Sequence, residues 1–162
     1  HELSGGMKQR VLIGISVVLN PRLIIADEPT TGLESRLRDV VLEELMIAKE
    51  MDRSSMLLIT HDLHAARKTA GRVAIMYAGE IIEIGPSQEI LGDPFHPYSR
   101  ALMGSLPEQG LRPIPGMPPS ALSPPEGCRF HPRCPLRKPP CFHEKQKLIR
   151  AGTRKVRCVL YA

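Results

Sequence analysis

The sequence predicts an α/β fold, and three observations carry that prediction. Two short apolar runs, Leu23–Ala26 (LIIA) and Met56–Thr60 (MLLIT), have the length and composition of buried parallel strands. Between them, apolar residues recur at three- and four-residue steps, as in a crossover helix. Each strand then ends on residues equipped for chemistry, Asp27-Glu28 after the first and His61-Asp62 after the second. Open α/β sheets gather their ligands at that C-terminal edge.

The elements follow in chain order. Ser4 can cap a helix, while Gly5 and Gly6 let the backbone approach a ligand without Cβ clashes. A helix N-terminus adds unpaired N–H groups, so the segment reads either as an anion site or as an ordinary capped helix. Met7–Leu19 is apolar on nearly all sides and stops at Asn20-Pro21, which predicts a buried helix. A Thr-Thr-Gly loop follows the first strand; Leu37, Val40, Val41, Leu45, Ala48 and Met51 then mark the amphipathic helix. Leu63–Lys68 reads as a short helix, and Arg72–Tyr77 with Glu80–Ile84 as a hairpin around Ala78-Gly79. Beyond Gly92 the periodicity weakens. Pro94–Pro97 is expected to start a short helix whose Tyr98, Ala101 and Leu102 pack back on the core. Pro107–Pro125 reads as extended and solvated.

The 162 residues leave room for one domain or one and a fraction. Their net charge of +5 is unevenly spread: residues 1–92 hold 10 Lys and Arg against 13 Asp and Glu, and residues 93–162 hold 12 against 4. Of the 16 prolines, 13 lie in the second part. Two regions are therefore expected, 1–92 and 93–162. No apolar run approaches the ~20 residues that span a bilayer, and no cleavable leader is evident, so the expectation is a cytosolic or membrane-peripheral protein. Aromatics are 4% and Trp is absent, which argues against base-stacking platforms for single-stranded nucleic acid.

The tandem acids suggest a division of labour. Asp27 can face the water shell of Mg²⁺ while Glu28 polarises an attacking water, as phosphoryl transfer requires. Adjacent acids at a strand end can also be solvated charges or a helix cap. His61 lies at the end of the neighbouring strand, so acids and imidazole are expected to converge at one sheet edge.

The segments LSGGMKQR, LIIADEPTTGL and LLITHDL, in this order and spacing, resemble the signature, the Walker B with D-loop, and the switch-histidine segments of an ATP-binding cassette (ABC) ATPase. The resemblance covers residues 1 to about 85. It implies the C-terminal part of a P-loop (RecA-like) ABC ATPase core, with ATP and Mg²⁺ as cofactors. By that resemblance Ser4, Gly5 and Gly6 contact the γ-phosphate of ATP held by the opposite subunit, and Gln9 joins the nucleotide-binding set. Asp27 orients Mg²⁺, Glu28 is the general base, and His61 contacts the γ-phosphate in the closed dimer. Glu34 stands where the D-loop of this family usually has Asp. The Walker A loop, G-x-x-x-x-G-K-[ST], does not occur, nor do the adenine-contacting aromatic and the Q-loop that precede the signature. The chain is therefore expected to be about half a subunit, cut from a larger protein and inactive alone.

The second region, with PFHPYSRALMGSLP, PPEGCRFHPRCP and VRCVLY, is similar to the C-terminal extension of ATPase subunits in oligopeptide, dipeptide and nickel importers. This similarity implies a second ATPase subunit, two transmembrane permeases and, indirectly, an extracytoplasmic solute-binding protein as partners. It places the subunit at the cytoplasmic face of the membrane, with no nucleic acid. Two other readings use the same signature: a non-transport ABC ATPase of DNA repair or chromosome organisation, and an inactive truncated product. The first would be expected to carry coiled-coil or zinc-finger insertions, and residues 86–162 show neither sustained heptads nor tight C-x2-C pairs.

Cys128, Cys134, Cys141 and Cys158 are spaced C-x5-C-x6-C-x16-C. In a cytosolic chain clustered thiols suit metal better than disulfides. The spacing is looser than usual for zinc, four thiolates also suit an iron–sulphur cluster, and a metal-free tail stays open. Some members of the resembled subfamily bind [4Fe-4S] through such a tail. His131 and His143 are expected in surface or packing roles.

Overall fold

The computed structural model describes residues 5–51 and 53–162. They form two compact units, one up to Ala70 and one from Gly71 onward. The change in charge and proline content near Gly92–Asp93 falls inside the second unit.

In the first unit the order is α1 (Gly5–Val17), β1 (Leu23–Asp27), α2 (Ser35–Met51), β2 (Ser55–Ile59) and α3 (Leu63–Thr69). β1 and β2 pair in parallel with Leu23 opposite Ser55 and Asp27 opposite Ile59, so both strands deliver their next residues to one edge. Parallel neighbours need a crossover, which α2 supplies through its buried stripe of Val41, Leu42, Leu45 and Ala48. Ile13, Ala26, Val41, Leu45 and Ala48 form the core, with Val17, Leu33, Met56 and Leu58 against it.

Two expectations are corrected here. α1 is not buried all round: Ile13 is its buried residue, while Met7, Val11, Leu12 and Ile15 are exposed. The strands, too, are covered on one face alone. Ile24 and Ala26 point inward, whereas Leu23, Ile25, Leu57 and Ile59 are exposed on the other side. The reason is geometric: successive strand residues alternate faces, and the described residues place helices against just one. Within α2, Leu37 and Met51 are likewise exposed rather than part of the stripe.

α3 begins at a capped N-terminus. Asp62 accepts hydrogen bonds from the His64 and Ala65 amides, at 2.9 and 3.2 Å, a cap worth about 1 kcal/mol. Lys68 near its end reaches Asp39 and Glu43 of α2, both at 3.0 Å.

The second unit is built on an antiparallel hairpin, β3 (Arg72–Tyr77) and β4 (Glu80–Pro86), turning through Ala78 and Gly79 at positive φ. α4 (Ser87–Gly92), α5 (Pro97–Gly104) and α6 (Pro140–His143) follow, with short 3₁₀ turns at Pro107–Gln109, His131–Arg133 and Val159–Tyr161. Two three-residue strands, β5 (Ile149–Ala151) and β6 (Arg154–Val156), extend the hairpin in the order β3-β4-β6-β5. Those strands are too short to leave a period in the sequence; tertiary contacts make them.

The chief contact is a buried ion pair. The Glu83 carboxylate is fully buried and accepts the Phe95 and His96 amides at 2.8 and 2.9 Å. Arg154 lies 3.7 Å away, pairs with Glu89 at 3.2 Å, and covers the Phe95 ring at 3.6 Å from its centroid. Gly85 permits this approach, because a Cβ there would meet the Arg154 Cβ at 2.6 Å.

α5 starts at Pro97, capped by His96, whose Nδ1 accepts the Tyr98 amide at 3.0 Å. Its buried residues are Pro97, Ser99 and Met103, while Ala101 and Leu102 are half-buried. Tyr98 packs with Tyr77 at 4.5 Å and with the buried Phe130 at 5.5 Å. The Pro-rich segment carries no regular element after its 3₁₀ turn, as expected. It is nevertheless fastened, since Arg133 donates to the Ile114 and Pro115 carbonyls, both at 2.9 Å.

Candidate active site

The parallel register of β1 and β2 brings Glu28 and His61 together. The Glu28 amide donates to the Ile59 carbonyl at 2.8 Å, continuing the ladder one step past the strand. Glu28 then adopts φ 47°, a left-handed conformation uncommon for a non-glycine residue. This turn aims its carboxylate at the end of β2. Oε1 accepts the His61 amide at 3.1 Å and lies 2.9 Å from His61 Nδ1. Oε2 accepts the Thr31 hydroxyl at 2.8 Å.

Hydrogen bonding by His61, and then by Thr31, holds the Glu28 carboxyl below the usual carboxylate range. The group is therefore ionised at neutral pH and ready to accept a proton. With an ionised partner, His61 Nδ1 is the donor, which leaves Nε2 on a ring that is 78% exposed. Asp27 stands beside Glu28 on the exposed side of β1, with no side-chain hydrogen bond among the described residues. Such a carboxylate is available to a cation.

The flanking loop is tied to the same edge. Arg38 Nε donates to the Leu33 carbonyl at 3.1 Å, and its guanidinium lies 3.6 Å from Asp62, next to His61. Glu34 is exposed just before α2, its carbonyl accepting the Arg38 amide at 3.0 Å.

Gly5 and Gly6 open α1, and Gln9 is half-buried one turn on. Among the described residues, the helix's own turn aside, no atom lies within 4 Å of where a Gly5 Cβ would stand, and a Gly6 Cβ would touch the Leu37 methyls at 3.6 and 3.8 Å. No hydrogen bond or ion pair joins these residues to Glu28 or His61 among the described residues. Ser4 lies outside the described residues. Thr31 is the residue that sequence reasoning passed over. Its signal was the Thr-Thr-Gly loop, three positions after the acid it binds.

The four cysteines also converge. The four thiols lie close enough to influence one another's charge, and Cys134, Cys141 and Cys158 are buried. Burial, with the neighbouring cysteines, pushes the Cys128, Cys134 and Cys158 thiols up. Backbone amides act the other way. Phe130 and His131 donate to Cys128, Leu136 to Cys134, and Leu160 to Cys158. The Lys138 amide lies 3.4 Å from Cys141 Sγ. Gly127, at φ 63°, allows the two cysteine segments to meet: a Cβ there would collide with the Cys141 carbonyl and the Phe142–His143 backbone. The Cys128 amide donates to that carbonyl at 2.9 Å. Among the described residues no three His, Cys, Asp or Glu side chains are arranged to hold a single metal ion. His131 packs on Phe142 at 5.0 Å, and His143 is exposed, 3.8 Å from Glu126.

An acidic pair and a histidine at adjacent parallel strand ends put this edge in the class of ligand-binding edges of open α/β sheets. Comparison with known proteins narrows that class. The profile described as "ABC transporter" matches residues 1–31, and the one described as "Oligopeptide/dipeptide transporter, C-terminal region" matches residues 82–141. The chain is 42% identical to the dipeptide transport ATP-binding protein DppD of Caldanaerobacter subterraneus, over 99% of this chain and 51% of that protein. It is 40% identical to DppD of Haemophilus influenzae, over 98% of this chain and 49% of that protein. With the oligopeptide transport ATP-binding protein AppD of Bacillus subtilis the identity is 41%, over 99% and 51%. The chain thus spans about half the length of these relatives. Among solved structures, the ADP conformation of an ATP-binding cassette of an ABC transporter superposes with TM-score 0.51 at 30% identity, covering 57% of this chain and 38% of that one. The chain belongs to the ATP-binding-cassette ATPase family, in its oligopeptide and dipeptide transport branch.

Proposed function

We propose that this chain supplies the hydrolytic half of an ATPase subunit that powers import of dipeptides, oligopeptides or nickel. The observation that carries this reading is the 2.9 Å contact between Glu28 Oε1 and His61 Nδ1 at the C-terminal edge of a parallel sheet. Glu28 accepts a proton from water attacking the γ-phosphate, and His61 presents Nε2 toward that phosphate. Asp27 is the residue that would hold Mg²⁺, which supplies charge neutralisation on the phosphates. Ser4, Gly5 and Gly6, with Gln9, meet the nucleotide of the opposite subunit, and Glu34 faces the same interface. Among the described residues nothing outside α1 fills the space beside Gly5, which supports a ligand approaching there. The partners are a second ATPase subunit, two permeases and, through them, an extracytoplasmic solute-binding protein. No helix among the described residues is long and apolar enough to cross a membrane, in keeping with a peripheral subunit at the cytoplasmic face. Residues 1–92 are read as the nucleotide-binding part and residues 93–162 as the transporter-type extension.

The cysteine tail is read as a [4Fe-4S] site held by Cys128, Cys134, Cys141 and Cys158. Four thiols within electrostatic reach of one another, each supplied with backbone N–H donors, suit sulphur ligands that carry charge. Within the tail the chain's own residues order the ligands and exclude water; the cluster, when bound, supplies four iron–thiolate bonds.

The test is Glu28→Gln in the complete subunit. ATP binding and dimer closure are expected to persist while turnover falls by about a thousandfold or more, as for loss of an essential base. Wild-type turnover by that variant would sink the assignment of Glu28 as the base.

A further inference from the structure

The two oxygens of Glu28 do different things. Oε1 faces His61, by its amide at 3.1 Å and its ring at 2.9 Å. Oε2 faces Thr31 Oγ1 at 2.8 Å. A carboxylate can flip about its last torsion and exchange its oxygens, because that torsion is broad and roughly two-fold. The His61 amide holds one oxygen and the Thr31 hydroxyl the other, and two donors on opposite oxygens together fix the plane of the carboxylate.

We propose that Thr31 is a positioning residue whose hydroxyl clamps Oε2 of Glu28, so that Oε1 is the oxygen offered to the attacking water. The inference rests on the reading of Glu28 as general base. The loop is built for the task. The Thr31 amide donates to the Glu28 carbonyl at 3.2 Å, closing a tight turn that returns the hydroxyl to the carboxylate. Glu28 itself is at φ 47°, a conformation that persists only where the surroundings hold it. Its amide, its carbonyl and both carboxylate oxygens are all engaged. Thr31 is exposed, so its contact with Glu28 supports no core packing. The hydroxyl leaves Oε1 to share the proton chemistry with His61, and a water replacing the imidazole contact there meets an oxygen already aimed.

The experiment compares Thr31→Val and Thr31→Ser with wild type in the complete ATPase subunit, with Glu28→Gln run beside them. Valine keeps the shape and removes the donor; serine keeps the donor. Thr31→Val is expected to lower kcat about tenfold to a hundredfold, the worth of a hydrogen bond to a charged group. KM for ATP and ATP-driven dimer closure are expected to stay at wild-type values. Thr31→Ser is expected to recover kcat to within about threefold of wild type. Wild-type kcat for Thr31→Val overturns the proposal, as does a serine variant no faster than valine. A valine defect expressed as raised KM or failed closure overturns it too, because the hydroxyl would then be touching nucleotide or the partner subunit. A dead Glu28→Gln beside an unimpaired Thr31→Val removes this proposal alone. An active Glu28→Gln removes the base assignment and the proposal with it.

Discussion

His96 shows how one buried side chain couples the second unit to pH. The residue is 1% exposed, its Nδ1 accepts the Tyr98 amide, and Phe130 packs 5.9 Å away. Burial lowers its pKa from 6.5 to about 4. In the unfolded chain the imidazole takes up its proton near pH 6.5, whereas in the folded chain it stays neutral until about pH 4. Below the unfolded value the unfolded state therefore binds more protons. The stability from neutral His96 is complete above pH 6.5 and is lost as pH falls toward 4. The loss amounts to on the order of 3 kcal/mol. His96→Asn retains a cap acceptor without a titrating ring. Thermal melts between pH 4 and 7 are expected to converge for the two proteins at the acid end. An unchanged gap across that range would contradict this account.

The tail elements of the second unit are each too small to stand alone. A four-residue helix and two three-residue strands have no cooperative length of their own. They persist because Arg154 of β6 is locked to Glu83 and Glu89, and because the Cys128 segment is hydrogen-bonded to the Cys141 segment. Removing the cluster proposed for the cysteines is therefore expected to loosen the tail while leaving the hairpin paired. Anaerobic purification is expected to yield brown protein carrying iron and acid-labile sulphide. Cys141→Ser is expected to lose that colour and to melt several degrees lower. A colourless, iron-free wild-type protein would remove the cluster.

The whole chain carries an imbalance between its units. In the second, buried charge, aromatic rings and cysteines close on each other. The first leaves Leu23, Ile25, Leu57 and Ile59 on an uncovered sheet face, with Val11, Leu12 and Ile15 exposed on α1. Exposed apolar area of this kind, beside a sheet that has two strands among the described residues, favours association. Expressed as it stands, the chain is expected to sediment as oligomers and to bind a hydrophobic dye. Fusion to a Walker A-bearing half should suppress both. A soluble monomer with one sharp melt and no dye binding would show the face to be harmless.

Much of this was legible in one dimension because the decisive signals are local. A strand of four or five apolar residues ending in Asp27-Glu28, a second ending at His61, and an amphipathic crossover require their edge chemistry to converge once the pairing is parallel. The turn at Ala78-Gly79 and the Pro-rich stretch are local too, and both were readable. What the sequence determined by itself was therefore the order of elements as far as the β3–β4 hairpin, the meeting of Glu28 with His61, and the family. Tertiary structure alone decided which faces are covered, because burial depends on what packs opposite and not on the apolar run itself. It also decided the partnering of Glu83 with Arg154, 71 positions apart, the convergence of four loosely spaced cysteines, and the assignment of one Glu28 oxygen to Thr31. Those depend on distances through space, and no period along the chain encodes them.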